Sequence, residues 1–235
     1  MRRSYSRGRI ILTALAACLA AALIAGAVAC APAEAPEAES ESPAGDGYID
    51  LLSKHEGKYN KHGWNHFGEG HFTIDHETGV LSAHSPEGSG LIWYSAAMFQ
   101  DFVLELDFMV DDNQTNSGIF LRIPYMVENH DYIHDSFEIQ IFDNERAGMT
   151  HYTGAIYDAS PPLKKASRSP GQWNHFKITC QGQRMVVELN GELVNDWTTR
   201  PTGKIKTHWP KGYIGLQNHR GPSDVHFRNI RVKEL

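Results

Sequence analysis

Phe137-Glu138-Ile139-Gln140-Ile141-Phe142-Asp143 decides the fold, because it alternates apolar and polar residues with a period of two. On a pleated strand that pattern sends Phe137, Ile139 and Ile141 to one face and Glu138 and Gln140 to the other. One face suits a core, and the other can meet a ligand. Strand patterns of the same kind surround it. Phe72–Asp75 and Val80–Ala83 flank a Glu77-Thr78-Gly79 turn and read as a hairpin. Gly90–Tyr94, Phe102–Met109 and Ser117–Arg122 precede the central stretch. Phe102, Leu104, Leu106 and Phe108 fall on one side of theirs.

Further along, Trp173–Cys180, Met185–Leu189, Leu193–Trp197, Gly212–Gln217 and Val225–Val232 continue the series, and Asn190-Gly191 marks a tight hairpin turn. No amphipathic helix of useful length interrupts them. The predicted architecture is all-β, two antiparallel sheets packed as a sandwich. Two segments carry no period. One is 48–67; His62 and His66 within it, with His71 just beyond, can be imagined as a metal cluster, but their spacings of four and five residues suit a helix, which Gly57, Gly63 and Gly68 oppose. The other is 144–170, a long Gly- and Pro-containing loop of the sort that is functional or disordered.

The N-terminal residues have a different character. Arg2, Arg3, Arg7 and Arg9 precede an uncharged run of apolar and small residues from Ile10 to Val28, which is export chemistry. Ala27-Val28-Ala29-Cys30 resembles a bacterial lipoprotein signal, with Cys30 as the lipidated residue and Ala27 where Leu is usual. Ordinary secretory cleavage after Ala29 and an uncleaved membrane span are the other readings. Residues 31–47 read APAEAPEAESESPAGDG, too poor in apolar side chains to order themselves, and are expected to form an acidic tether. The expected organisation is thus a signal segment over 1–30, a tether over 31–47 and one domain over 48–235. It would be exported and held at a bacterial membrane through its lipid, facing the periplasm or the cell exterior. The chain has a formal net charge of −6, which argues against nucleic acid as a partner. Of three cysteines only Cys180 lies in the predicted domain, so no disulfide forms within it, and its strand context marks Cys180 as a core residue.

A set of blocks in fixed order carries a family resemblance: Asn116–Arg122, Phe137–Asp143, Thr153–Tyr157, Gly171–Asn174, Gly215–His219 and Phe227–Arg231. The chain from about Trp64 to Leu235 resembles the family known as domain of unknown function 1080, the 3-keto-disaccharide hydrolase or 3-keto-glucoside lyase and hydratase domain. It departs from the family pattern at Ile123–Ser136, where Met126-Val127-Glu128-Asn129-His130 replaces a shorter glycine-rich link. The resemblance implies a concanavalin-like jelly roll and a carbohydrate substrate oxidised at C3 by a partner glycoside 3-oxidoreductase. Cleavage would proceed by C2 proton abstraction, β-elimination and hydration. That chemistry needs a base, an oxyanion stabiliser and an acid, and not the paired carboxylates of ordinary glycosidases.

With that fold, the strands of Glu138, Arg122 and His219 are expected to neighbour one another. Glu138 and His219 are the candidate base and acid, and Arg122 the candidate oxyanion stabiliser. Without the resemblance, Glu138 and Arg122 read equally well as a cross-strand ion pair. Gln140, Gln217 and Asn116 are candidate substrate-binding amides. Trp93, Tyr152 and Tyr157 are candidate sugar-stacking platforms, although Trp93 could also be core. Asp143 either ligates a divalent cation or caps a turn; no other cofactor is implied. A noncatalytic carbohydrate-binding module is the alternative from another functional class, since the fold alone does not settle activity.

Overall fold

The structure is a computed structural model that describes residues 46–207, 209–221 and 224–235. The stretch expected to be an export segment, with Cys30, and the stretch expected to be a tether, up to residue 45, lie outside the described residues. Fifteen strands are described. In chain order they are β1 (Ile49–Asp50), β2 (Lys54–His55), β3 (Lys58–Tyr59), β4 (Trp64–Gly68), β5 (His71–Ile74), β6 (Leu81–His84), β7 (Gly90–Phe99) and β8 (Phe102–Val110). Then follow β9 (Ser117–Ile123), the helical turn α1 (Tyr132–Asp135), β10 (Phe137–Ile141), β11 (Asn174–Gln181), β12 (Arg184–Leu189), β13 (Glu192–Thr198), β14 (Gly212–Asn218) and β15 (Val225–Glu234).

The chain is a jelly-roll sandwich of two antiparallel sheets. One has eight strands in the order β13-β12-β11-β8-β15-β6-β5, with β1 added beside β15; the other has five, in the order β10-β9-β14-β7-β4. Alternation along the strands builds the core between them. Phe102, Leu104, Leu106 and Phe108 of β8 meet Phe137, Ile139 and Ile141 of β10, Ile119 and Leu121 of β9, and Leu216 of β14, all in one buried cluster. Phe108 stacks on Phe176 with ring centroids 4.9 Å apart. Each such side chain contributes about 1.5–3 kcal/mol on burial. The residues between them on β8 point outward and pair across strands: Glu105 with Arg231 and Asp107 with Arg228 and His175. Cys180 is fully buried and free, and burial pushes its thiol up to about 12.

The outer face of the five-stranded sheet is also covered. Leu91 and Trp93 of β7 and Phe120 of β9 would face solvent, but the excursion between β9 and α1 folds over them and contributes Val127 and Tyr132. It fills one half of the outer face and leaves the half nearer β10 open. Trp93 is therefore 4% exposed beneath this cover and is a packing residue rather than a sugar platform.

The loop between β10 and β11 is ordered by the edge of the sheet. Gly154 N–H donates to the Gln140 carbonyl at 2.9 Å, Gln140 N–H to the Ala155 carbonyl at 3.0 Å, and Tyr157 N–H to the Glu138 carbonyl at 2.9 Å. Residues 153–157 thus satisfy the edge that β10 would otherwise expose, and they set Tyr157 beside Glu138. The segment before β5, which carries no sequence period, includes the edge strand β4, anchored where Trp64 Nε1 donates to the Leu51 carbonyl at 2.7 Å.

Candidate active site

The open half of the outer face holds a cleft of about 140 Å³ lined by Glu138, Gln140, Asn116, Gln217, Tyr157 and Lys204, with Ser89, Ile133 and His219 around its rim. Strand pairing explains the convergence. Glu138 pairs with Phe120 and Gln140 with Gly118 across β10 and β9, while Leu216 pairs with Ile119 across β14 and β9. Gln217 is thereby brought beside Gly118. Ser117 Oγ fixes this register by donating to the Gln217 carbonyl at 2.7 Å. Asn116 ends the turn before β9, and its Oδ1 accepts from Gln140 Nε2 at 2.8 Å. His219 follows the last residue of β14 and is exposed at the mouth.

Gly118 makes the room that the Glu138 side chain occupies. A Cβ built there would lie 2.7 Å from Glu138 Cγ and 2.9 Å from its Cδ, and it would strike the carboxylate. Gly118→Ala is expected to displace Glu138 and to lower activity at least tenfold while changing stability by no more than about 1–3 kcal/mol. Parallel kinetics and thermal melts check this.

Lys204 is the site residue that strand periodicity does not reveal. It ion-pairs with Glu138, and both side chains are under a tenth exposed. Its ammonium sits 3.9 Å from the centroid of the Tyr157 ring, whose other neighbour is His151, stacked at 4.4 Å. The loop that delivers it is tied down on two sides. Lys206 N–H donates to the His134 carbonyl at 3.0 Å, and Gly203, at φ +56°, packs so closely on Asp158 that a Cβ would meet its carboxyl group. Burial drives the Glu138 carboxyl above its ordinary range, and the Lys204 ammonium opposes that rise without cancelling it. Burial and the nearby Glu138 charge also raise the hydroxyls of Tyr157 and Tyr132.

Arg122 lies elsewhere, contrary to expectation. Its backbone has φ +58°, which breaks the alternation that would have put it beside Phe120. Pairing between β14 and its neighbours is irregular at the same level. The buried guanidinium donates to the Gln100 carbonyl from Nε at 3.1 Å and Nη2 at 2.7 Å, to the Gly182 carbonyl from Nη1 at 2.8 Å, and to Asp101 Oδ1 at 3.3 Å. From β9 of the five-stranded sheet it clamps the β7–β8 turn, which crosses between the sheets, to the β11–β12 turn of the eight-stranded sheet. Arg122→Met is expected to destabilise the fold by about 2–4 kcal/mol while leaving the kcat of the folded fraction within about twofold. Denaturant melts and active-site-normalised kinetics separate the two effects.

Tyr152 is 9% exposed, donates its hydroxyl to the Glu145 carbonyl at 3.3 Å, and carries the Lys165 ammonium 3.8 Å from its ring centroid. It supports the loop and does not line the cleft. Asp143 follows the end of β10 outside the cleft, and among the described residues no group of three or more His, Cys, Asp or Glu side chains is placed to hold a metal ion. The cross-strand ion pair of Glu138 with Arg122 is not formed; the cation beside Glu138 is Lys204.

A buried carboxylate with a raised pKa, an ammonium at its side, amides and an imidazole at the mouth bring proton-transferring groups into one cleft. A family model for the 3-keto-alpha-glucoside-1,2-lyase-like domain matches residues 47–233. The chain belongs to this family. A 3-keto-disaccharide hydrolase of Bacteroides thetaiotaomicron is similar to this member of the 3-keto-alpha-glucoside-1,2-lyase-like family, 27% identical over 238 residues, covering 81% of this chain and 79% of the relative. A crystal structure from Parabacteroides distasonis, described as a glycosyl hydrolase, aligns with a TM-score of 0.64 and 29% identity over 80% of this chain and 99% of its own. A Bacillus subtilis protein with a galectin-like fold aligns with a TM-score of 0.54 at 16% identity, over 80% of this chain and 94% of its own, a likeness of fold alone. Membership of the 3-keto-alpha-glucoside-1,2-lyase-like family places the chain among carbohydrate-active proteins, in a family of glycoside-acting hydrolases.

Proposed function

We propose that this protein cleaves 3-keto-glycosides by elimination across C1–C2 followed by hydration. The observation that carries the reading is the buried Glu138–Lys204 pair on the floor of a cleft rimmed by His219. A ketone at C3 acidifies the C2 hydrogen. The Glu138 carboxylate, made more basic by burial, takes that proton, and the electron pair left on C2 delocalises onto the C3 oxygen. The Lys204 ammonium stabilises the resulting enolate oxygen.

Collapse of the enolate forms the C1–C2 double bond and breaks the bond from C1 to the leaving oxygen, which receives a proton from His219 at the mouth. Water then adds across the double bond, hydroxyl to C1 and hydrogen to C2, and the net result is hydrolysis. Its substrate requires prior oxidation of the sugar at C3, so a glycoside 3-oxidoreductase would act before it. The basic and apolar N-terminal run ending at Cys30, and the acidic stretch after it, support an exported enzyme tethered to the membrane by lipid.

The test is incubation of the full chain with 3-keto-trehalose or an aryl 3-keto-glucoside, alongside the unoxidised parents. Release of the aglycone from the keto compounds alone is expected. Binding of the parents with no cleavage of the keto compounds would instead mark a binding module.

A further inference from the structure

Two amide oxygens in the cleft lack hydrogen-bond partners among the described residues, Gln140 Oε1 and Gln217 Oε1, and both are fully buried atoms. Their residues are 1% and 5% exposed. Such groups are costly to leave unmatched and rare without a reason. The two are not scattered. Strand register sets Gln140, Gly118 and Gln217 in one row across β10, β9 and β14, so the glutamines stand two strand spacings, roughly 10 Å, apart. Between them lies only the bare backbone of Gly118, with Glu138 leaning over it. The Gln140 amide is oriented by its own hydrogen bond, since Nε2 donates to Asn116 Oδ1, which leaves its oxygen as the unpartnered end of a side chain that lines the cleft.

We infer that this row reads hydroxyl groups: Gln140 Oε1 and Gln217 Oε1 each accept a hydrogen bond from a different free hydroxyl of one sugar ring lying over Gly118. The substrate class follows. Both acceptors need a hydrogen on the sugar oxygen, so a ring substituted at either of those two oxygens is rejected, and the accepted unit is a hexosyl residue with both of those hydroxyls free. The cleft agrees, because Val127 and Tyr132 fill the rest of the sheet face where a longer glycan would run. This assignment rests on the proposed reaction only for the identity of the sugar as a 3-keto-hexosyl unit; the hydroxyl reading itself concerns binding.

The test uses the full chain and methyl glucoside, which carries the same hydroxyls and does not react, together with its 2-, 4- and 6-deoxy forms and the matching O-methyl ethers. Binding is measured by calorimetry. Two of the three positions are expected to weaken binding about ten- to a hundredfold when altered. Gln140→Met is expected to abolish the penalty at one of those positions and Gln217→Met the penalty at the other. Equal binding of all the analogues overturns the inference, as does lack of binding by the parent, or penalties that are unchanged in both variants. The wild-type series is informative even where a variant fails to fold. Aglycone release from the corresponding 3-keto compounds is followed separately. Discrimination without release leaves the hydroxyl reading standing and removes the proposed reaction; release without discrimination does the reverse.

Discussion

Replacing Glu138 with Gln is expected to lower turnover of a 3-keto-glycoside about 10²- to 10⁴-fold, the range a positioned general base contributes, with substrate affinity nearly unchanged. The amide has nearly the shape of the carboxyl group and can still accept from Lys204, so packing against Gly118 is kept. What is lost is the ability to take a proton. The pH profile of the wild type supplies a second readout. Glu138 acts as a base only when ionised, and burial holds its pKa above the ordinary carboxylate range, so activity should rise with pH through that raised value. Titrating kcat/KM of both proteins checks this: wild-type activity independent of pH through the acid range, or unchanged turnover in Glu138→Gln, would remove Glu138 from the mechanism.

Lys204→Met is expected to have two large effects. Loss of the cation beside the C3 oxygen should cost about 10²- to 10³-fold in kcat. Breaking a buried pair by removing one partner should also cost about 3–5 kcal/mol of stability at neutral pH, because the Glu138 carboxylate is left buried without its counter-ion. The sign of the pH dependence follows from linkage. With Lys204 gone, the largest influence opposing burial is removed, only the weaker pull of His219 and His151 remains, and the folded pKa of Glu138 moves further above its unfolded value. A group raised in this way favours the folded state in its protonated form, below the unfolded pKa, and that advantage is lost as pH rises through the folded pKa. The variant should therefore approach wild-type stability in acid and fall away from it as pH increases. Thermal melts across pH measure the gap. Adding Glu138→Gln to Lys204→Met should restore much of the neutral-pH stability without restoring activity.

The strands were legible in the sequence wherever one face was core and the other was not. Phe102–Met109 and Phe137–Asp143 alternate cleanly, and the observed β8 and β10 keep the predicted faces. β4 was not legible, because its Trp64-Asn65-His66-Phe67-Gly68 presents no regular alternation and sits among glycines and histidines. Within the cleft, Glu138, Gln140 and Gln217 are brought together by strand register, which period-two reasoning can follow, while Asn116 and His219 flank strand ends and Tyr157 is set by the 153–157 loop. The same reasoning failed at Arg122, since a single residue at positive φ reverses the face of its side chain and a sequence without glycine there gives no warning. Of the two readings open for Trp93, platform and core, the structure takes the core one, because the outer sheet face there is roofed by Val127 and Tyr132. Lys204 belongs to a loop with no period of its own. Its sequence signal is the preceding Gly203, whose positive φ and tight seat on Asp158 give the loop its turn, and nothing in that signal names Glu138 as the partner.

The most direct test of C2 proton abstraction is the fate of the C2 hydrogen when the full chain cleaves a 3-keto-glucoside in heavy water, followed by NMR at early times and against an enzyme-free control. Elimination and hydration predict a released keto-sugar with solvent deuterium at C2 and none in the product of Glu138→Gln above the control. A product that keeps its original hydrogen at C2 while the aglycone is released at full rate would contradict the account.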